Sequence, residues 1–151
     1  MSIIFSNPNE YSLLELKPLI NSKILSVDIG TKKHGVAISS TNMKFSYPLQ
    51  VVLSYKEIHN IFKENNCNTL LVGYPFYDKN DIDSPESLIC KIVDNFVKEF
   101  ATIFENSVII YVDENFSSTI VANQIKKQSG YIDSNVAAYL LNEFLEKLTF
   151  L

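Results

Sequence analysis

The chain has 151 residues, 46% of them hydrophobic and 20% charged, and a formal net charge of −4. That composition fits one globular domain with a sizeable core, excludes wholesale disorder, and leaves no apolar stretch near the roughly 18 residues a membrane span requires. All 13 basic residues are lysine, so no arginine is available to clamp phosphate in two-pronged fashion, and the acidic total disfavours a strong, non-specific nucleic-acid binder.

In chain order, "MSIIFSNPNEYSLLELK" lacks a basic n-region and a small-residue cleavage site, so it does not read as a signal peptide and a cytoplasmic protein is expected. Turn chemistry at Asn7-Pro8-Asn9 precedes a helix near Tyr11–Leu16 that Pro18 stops, making residues 1–22 a lead-in. Residues 23–28 and Gly35–Ser39 read as two strands joined by a glycine-containing turn, and Phe45–Leu53 as a third, edge-like strand because Pro48 lacks a ladder donor. Ile58, Ile61 and Phe62 suit a short amphipathic helix, and Thr69–Val72 the next strand. Tyr74–Ser84 reads as a loop. Ser84-Pro85 starts a helix that carries Ile92, Val93, Phe96, Val97, Phe100 and Phe104 at helical spacing. Ser107–Val112 is a buried strand ending on Asp113-Glu114. A polar-faced helix to Gly130 and a last helix from about Ser134, with Ala137, Leu140, Leu141, Phe144 and Leu148 inward, complete residues 23–151 as one domain. Cys67 and Cys90 have no metal-ligand spacing and read as buried or half-buried thiols.

This order predicts an α/β fold: a mixed five-stranded sheet, three antiparallel strands then two parallel ones, with helices on both faces. In such sheets functional groups gather at the carboxyl ends of the parallel strands, where Asp28, Asp113 and Glu114 stand. Asp133, at the start of the last helix, could lie against the same edge. Three converging carboxylates would repel one another, and hard divalent cations such as Mg²⁺ or Mn²⁺ relieve that repulsion. A pair of such ions roughly 3.5–4 Å apart suits phosphodiester cleavage. Each acid also has a plainer role, as turn former at Asp28, dipole partner at Asp113-Glu114, or helix cap at Asp133.

Four segments resemble one family in the right order. "VDIGTKKHGVAIS" looks like the opening aspartate hairpin of the YqgF, or RuvX-like, proteins, described as Holliday junction resolvases and as pre-16S rRNA nucleases. "LLVGYPF" is similar to their Val-Gly-Leu-Pro-Leu strand and loop, "VDENFSST" to their Asp-Glu-Arg-Leu-Thr-Thr segment, and "IDSNVAAYLLNEFLE" to their closing helix. The resemblance covers about residues 22–147 and implies a ribonuclease H-like fold. It also implies metal-binding catalytic acids at Asp28, Glu114 and Asp133, with Asp113 supporting, and one or two Mg²⁺ (or Mn²⁺) ions. Gly30 and Gly35 would permit a tight turn and close approach to phosphate, Pro75 would set a loop beside the cleft, and Ala137-Ala138 would let the last helix pack closely. Gly30, Thr31, Lys32, Lys33, His34, Lys79, Asn115 and Ser118 become the candidate nucleic-acid contacts, although His34 taken alone reads as an exposed turn residue. The chain departs from the family in charge: arginine is usual where Lys33 and Asn115 stand, aspartate where Ser40 stands, and a glycine-bearing loop where this chain reads "YDKNDIDS".

The expected activity is metal-dependent endonucleolytic cleavage of structured nucleic acid, pre-16S rRNA at its 5′ end or branched DNA, by a monomer or homodimer without a membrane partner. Two other readings stand beside it. A non-catalytic RNA-binding or ribosome-assembly factor would suit the missing arginines. "DIGTKKHGVAIS" also looks like the first phosphate loop of actin-like ATPases and sugar kinases, which need a second such domain.

Overall fold

The computed structural model describes residues 2–75, 85–113 and 132–151, without the side chains of residues 85, 86 and 132–134. Among these residues six strands form one sheet: β1 (Ile3–Phe5), β2 (Lys23–Ile29), β3 (His34–Ser39), β4 (Ser46–Pro48), β5 (Cys67–Tyr74) and β6 (Val108–Asp113). Their spatial order is β1-β6-β5-β2-β3-β4. Strands β1, β6, β5 and β2 run parallel, and β3 and β4 extend the sheet as antiparallel neighbours. The sheet therefore has one strand more than the five expected. The extra one, β1, comes from the lead-in and pairs in parallel with β6; three residues are too few to display a period-two pattern.

The third expected strand, Phe45–Leu53, contracts to Ser46–Pro48 plus a single bridge between His34 and Val52. Pro48 contributes no N–H, and the Ser46 N–H is taken by Asn142 Oδ1 at 3.2 Å. The outer edge of β4 is thus closed to further strand pairing, as exposed edges commonly are.

Among the described residues four α-helices cover the sheet: α1 (Leu13–Leu16), α2 (Tyr55–Glu64), α3 (Pro85–Ile103) and α4 (Ile132–Thr149). Helices α1 and α2 begin with full capping boxes, Ser12 with Glu15 and Ser54 with Glu57, each satisfying two N-terminal donors reciprocally. Asn66, just past α2, adopts the left-handed conformation at φ 55°, which asparagine tolerates at a helix end. The helix expected up to Gly130, the loop beyond Pro75 and the Ser84 cap lie outside the described residues.

Two apolar layers flank the sheet. Val27, Val36, Val72, Ile109 and Tyr111 pack with Ile58, Phe62, Phe96 and Phe100 of α2 and α3, while Ile24, Ala37, Leu71 and Ile110 pack with Leu16 and with Ala137, Leu141 and Phe144 of α4. Aromatic rings consolidate the first layer: Phe62 lies 4.9 Å from Phe100 and 4.7 Å from Phe104, separations at which aromatic pairs add stability beyond buried area.

His59 of α2 is set among those rings, 5.7 Å from Phe100 and 5.9 Å from Phe104. Its Nε2 is buried and has no hydrogen-bond partner among the described residues. Burial lowers its pKa below the usual 6.5, with the nearby Glu99 carboxylate partly opposing the shift. The unfolded chain then takes up a proton near pH 6.5 that the folded protein resists, so stability falls as pH drops from that value through the lower folded-state pKa. We expect His59→Phe to flatten this acid-side slope in urea unfolding between pH 7.5 and 5.5; an unchanged slope in the variant would contradict the assignment.

Candidate active site

The 24–40 hairpin shows how sequence builds the site. Strand β2 pairs antiparallel with β3, setting Asp28 opposite Gly35 and Ile29 opposite His34. Residues 30–33 make the connecting turn. A Cβ at Gly30 would collide with the backbone carbonyl oxygen of Lys33, so the turn closes only around a residue without a side chain. The Gly30 N–H donates to His34 Nδ1 at 3.2 Å, and the His34 backbone exchanges bonds of 2.8 and 3.0 Å with Val52. Thr31, Lys32 and Lys33 are exposed at the tip.

His34 differs from the sequence expectation. It is only 4% exposed, its ring 5.0 Å from that of Tyr55. The residue begins β3 rather than belonging to the tip, so strand alternation turns it inward. Within the fold it latches the turn from beneath, and its burial removes it from the surface that a ligand would touch.

Strand register fixes which acids share an edge. Val27 pairs with Val72, and Val72 with Tyr111. Asp28 is therefore level with Gly73, which pairs with Val112. Asp113 pairs with Tyr74 one step further along. At about 4.8 Å per strand, the end of β6 lies roughly 10 Å from Asp28. Gly73, with no side chain, occupies the row between them. Asp28 is half-buried, whereas Asp113 is exposed and lines a hollow with Tyr11, Leu13, Glu143 and Lys147.

The last helix approaches that edge in a defined direction. Ser26 Oγ, fully buried, donates to the Ala137 carbonyl at 2.8 Å. Ser46, which pairs with Ser39, donates through its backbone to Asn142, and Ser39 Oγ accepts from the Ile24 N–H at 2.8 Å. Asn142 thus sits toward Ile24 and Ala137 at Ser26, so α4 runs antiparallel to β2. Asp28 lies two residues, about 6.6 Å, past Ser26 on the same face of the sheet. Asp133 lies four residues, about 6 Å, before Ala137 along the helix. The backbone at Asp133 therefore reaches the level of Asp28 on the face that Asp28 presents. Because α4 is already helical at Ile132, Asp133 falls within the first turn and does not cap it. The sequence placed this start two residues late because Ile132-Asp133-Ser134 offers several plausible caps.

Glu114, Asn115, Ser118 and Lys79 lie outside the described residues. Among the described residues no group of three His, Cys, Asp or Glu side chains is placed to hold a metal ion; Asp28 and Asp113 are the two strand-end acids that are described. Sequence reasoning missed Ser26 and Gly73. Ser26 interrupts an apolar strand at an inward position, a signal that could have been followed.

Comparisons with known proteins agree with this architecture. Residues 22–147 match the family described as RuvX: Holliday junction resolvase. Among curated proteins, the chain is 28% identical over 138 residues to a "Putative pre-16S rRNA nuclease" of Sulfurihydrogenibium sp., covering 85% of this chain and 93% of the relative. It is 30% identical over 132 residues to one from Campylobacter lari, covering 81% and 96%. Thermus thermophilus RuvC superposes with a TM-score of 0.53 at 10% identity, covering 84% of this chain and 96% of RuvC. The fowlpox virus resolvase, solved with Holliday junction DNA, gives 0.52 at 18%, covering 83% and 98%. These two likenesses establish the ribonuclease H-like fold.

Gly30→Ala tests the turn. Overpacking against backbone costs about 1–3 kcal/mol, and the variant should lose that much stability in urea unfolding; an unchanged midpoint would contradict the steric account. On sequence and architecture together, the chain belongs to the RuvX family of Holliday junction resolvases.

Proposed function

We propose that this protein is a metal-dependent endonuclease that hydrolyses phosphodiester bonds in structured nucleic acid, with pre-16S rRNA as substrate. The observation that carries this reading is the half-buried Asp28 at the carboxyl edge of the parallel strands, level with the first turn of α4 and beside an exposed lysine-bearing turn. Relatives named as pre-16S rRNA nucleases support RNA as the substrate, whereas the family's description supports branched DNA; we favour RNA because those relatives match this chain over most of its length.

Asp28, Glu114 and Asp133 would hold one or two Mg²⁺ or Mn²⁺ ions, with Asp113 in support. Their donor set is hard oxygen throughout, which suits these cations. Bound there, the ions would neutralise charge that builds on the phosphodiester. Lys32 and Lys33 would contact backbone phosphates as point charges, and Thr31 and the Gly30 backbone would lie against the same strand. Lys79, Asn115 and Ser118 would extend this contact. His34 acts by holding the Gly30 turn in shape. Hydrolysis adds water at phosphorus and breaks the bond to the 3′ oxygen, leaving 5′-phosphate and 3′-hydroxyl ends. Among the described residues no helix is long and apolar enough to cross a membrane, and we place the protein in the cytoplasm, as monomer or homodimer.

Asp28→Asn removes one charge with little change of shape. It should lower cleavage of a structured precursor RNA by at least about 100-fold, the scale on which a single group stabilising transition-state charge acts, while the thermal midpoint is kept. Retained cleavage in the variant would refute the assignment. Pure protein that binds RNA in a salt-sensitive manner but yields no products with Mg²⁺ would favour the assembly-factor reading, which the absence of arginine supports.

A further inference from the structure

The carboxyl ends of β5 and β6 are tied together from beneath by one acidic side chain of α3. Tyr74, the last residue of β5, donates its hydroxyl to Asp94 Oδ2 at 3.1 Å, and Tyr111 of β6 donates to Asp94 Oδ1 at 2.9 Å. The two rings lie 5.0 Å apart. Burial raises both phenol pKa values, and the Asp94 charge raises them further, so both hydroxyls stay protonated and donate. One turn earlier on α3, the buried Cys90 thiol donates to the Pro75 carbonyl at 3.1 Å. From the opposite face, the Tyr11 hydroxyl donates to the Tyr111 carbonyl at 2.8 Å.

These bonds cluster where the chain leaves the sheet after Tyr74 and after Asp113. A partly buried carboxylate that accepts from two neighbouring strands is an expensive way to fill space, since apolar side chains pack there without desolvating a charge. What it adds is geometry: each oxygen accepts from a different strand, so the two strand ends are held at a set spacing and tilt. Asp113 follows Tyr111 by two residues, and β5 is the only strand between β6 and the Asp28-bearing β2.

We propose that Asp94 is a positioning residue for the nuclease site: by bridging Tyr74 and Tyr111 it sets the end of β6 against Asp28. The proposal rests on the nuclease reading above. The test uses the full chain as wild type, Asp94→Ala, the double variant Tyr74→Phe/Tyr111→Phe, and Asp28→Asn as control. Mn²⁺ affinity is measured by calorimetry, alongside kcat and KM on a structured precursor RNA and the thermal midpoint.

Groups that orient metal ligands from behind typically change affinity 10- to 100-fold, so Asp94→Ala should bind Mn²⁺ at least about 10-fold more weakly. Its kcat should fall with KM for RNA unchanged. The double variant, which keeps both rings and the buried volume, should reproduce these effects, and it decides the matter if Asp94→Ala does not fold. A lower thermal midpoint with Mn²⁺ affinity and kcat unchanged would overturn the proposal, because that is all a packing role would produce. If Asp28→Asn loses Mn²⁺ while the Asp94 and tyrosine variants keep it, the positioning role alone fails. If Asp28→Asn binds Mn²⁺ as tightly as wild type, the nuclease reading falls and the positioning role with it.

Discussion

A single buried hydroxyl, Ser26 Oγ, donates to the carbonyl of Ala137 and joins the central strand to the last helix. Both residues are fully buried, so the Ser26 hydroxyl would be left without a partner if the helix slid by a residue, at a cost of about 1–3 kcal/mol. That constraint helps to set the register of α4 against β2, and the register decides where the helix begins relative to Asp28. Ala137 and Ala138 are small enough to let the helix axis approach the sheet this closely. The bonds of Ser46 to Asn142 and to the Ala138 carbonyl hold the same register from β4.

The second constraint is directional. Because β2, β5 and β6 are parallel, their carboxyl ends open on the same side, and Asp28 and Asp113 share that edge although 85 positions separate them in the chain. The antiparallel β3 adds a short turn at the same edge, which carries lysines to the rim. Gly30 and His34 serve that turn from within: one leaves room for the Lys33 carbonyl, and the other accepts the N–H that the tight turn turns inward. The acidic total and the basic rim are compatible, because recognition of a phosphate chain depends on where charges sit.

Much of this was legible in the sequence, for identifiable reasons. The runs ILSVD, VAIS, LLVGY and VIIYV declare buried strands through continuous β-branched and leucine residues, and Ile92 to Phe104 declares a helix through its spacing. Strand β1 was hidden because three residues carry no periodicity and its partner lies more than a hundred residues away. The burial of His34 was hidden because a histidine after two lysines looks solvated; only the register of the hairpin shows that it is the first inward-facing residue of β3. That Asp28 and Asp113 stand at strand ends could be read from the sequence, whereas the Asp94 bridge could not. It joins residues 74, 94 and 111 through tertiary packing, and each of them alone reads as an ordinary tyrosine or a solvated helix acid.

The proposed nuclease site requires acids from distant parts of the chain to gather at one cation-binding edge. Crystals soaked in Mn²⁺ and measured for anomalous scattering test this most directly. We predict a peak within about 2.1 Å of an Asp28 carboxylate oxygen, between it, Glu114 and Asp133. Anomalous density elsewhere on the surface, with Asp28 free of it, would contradict the account.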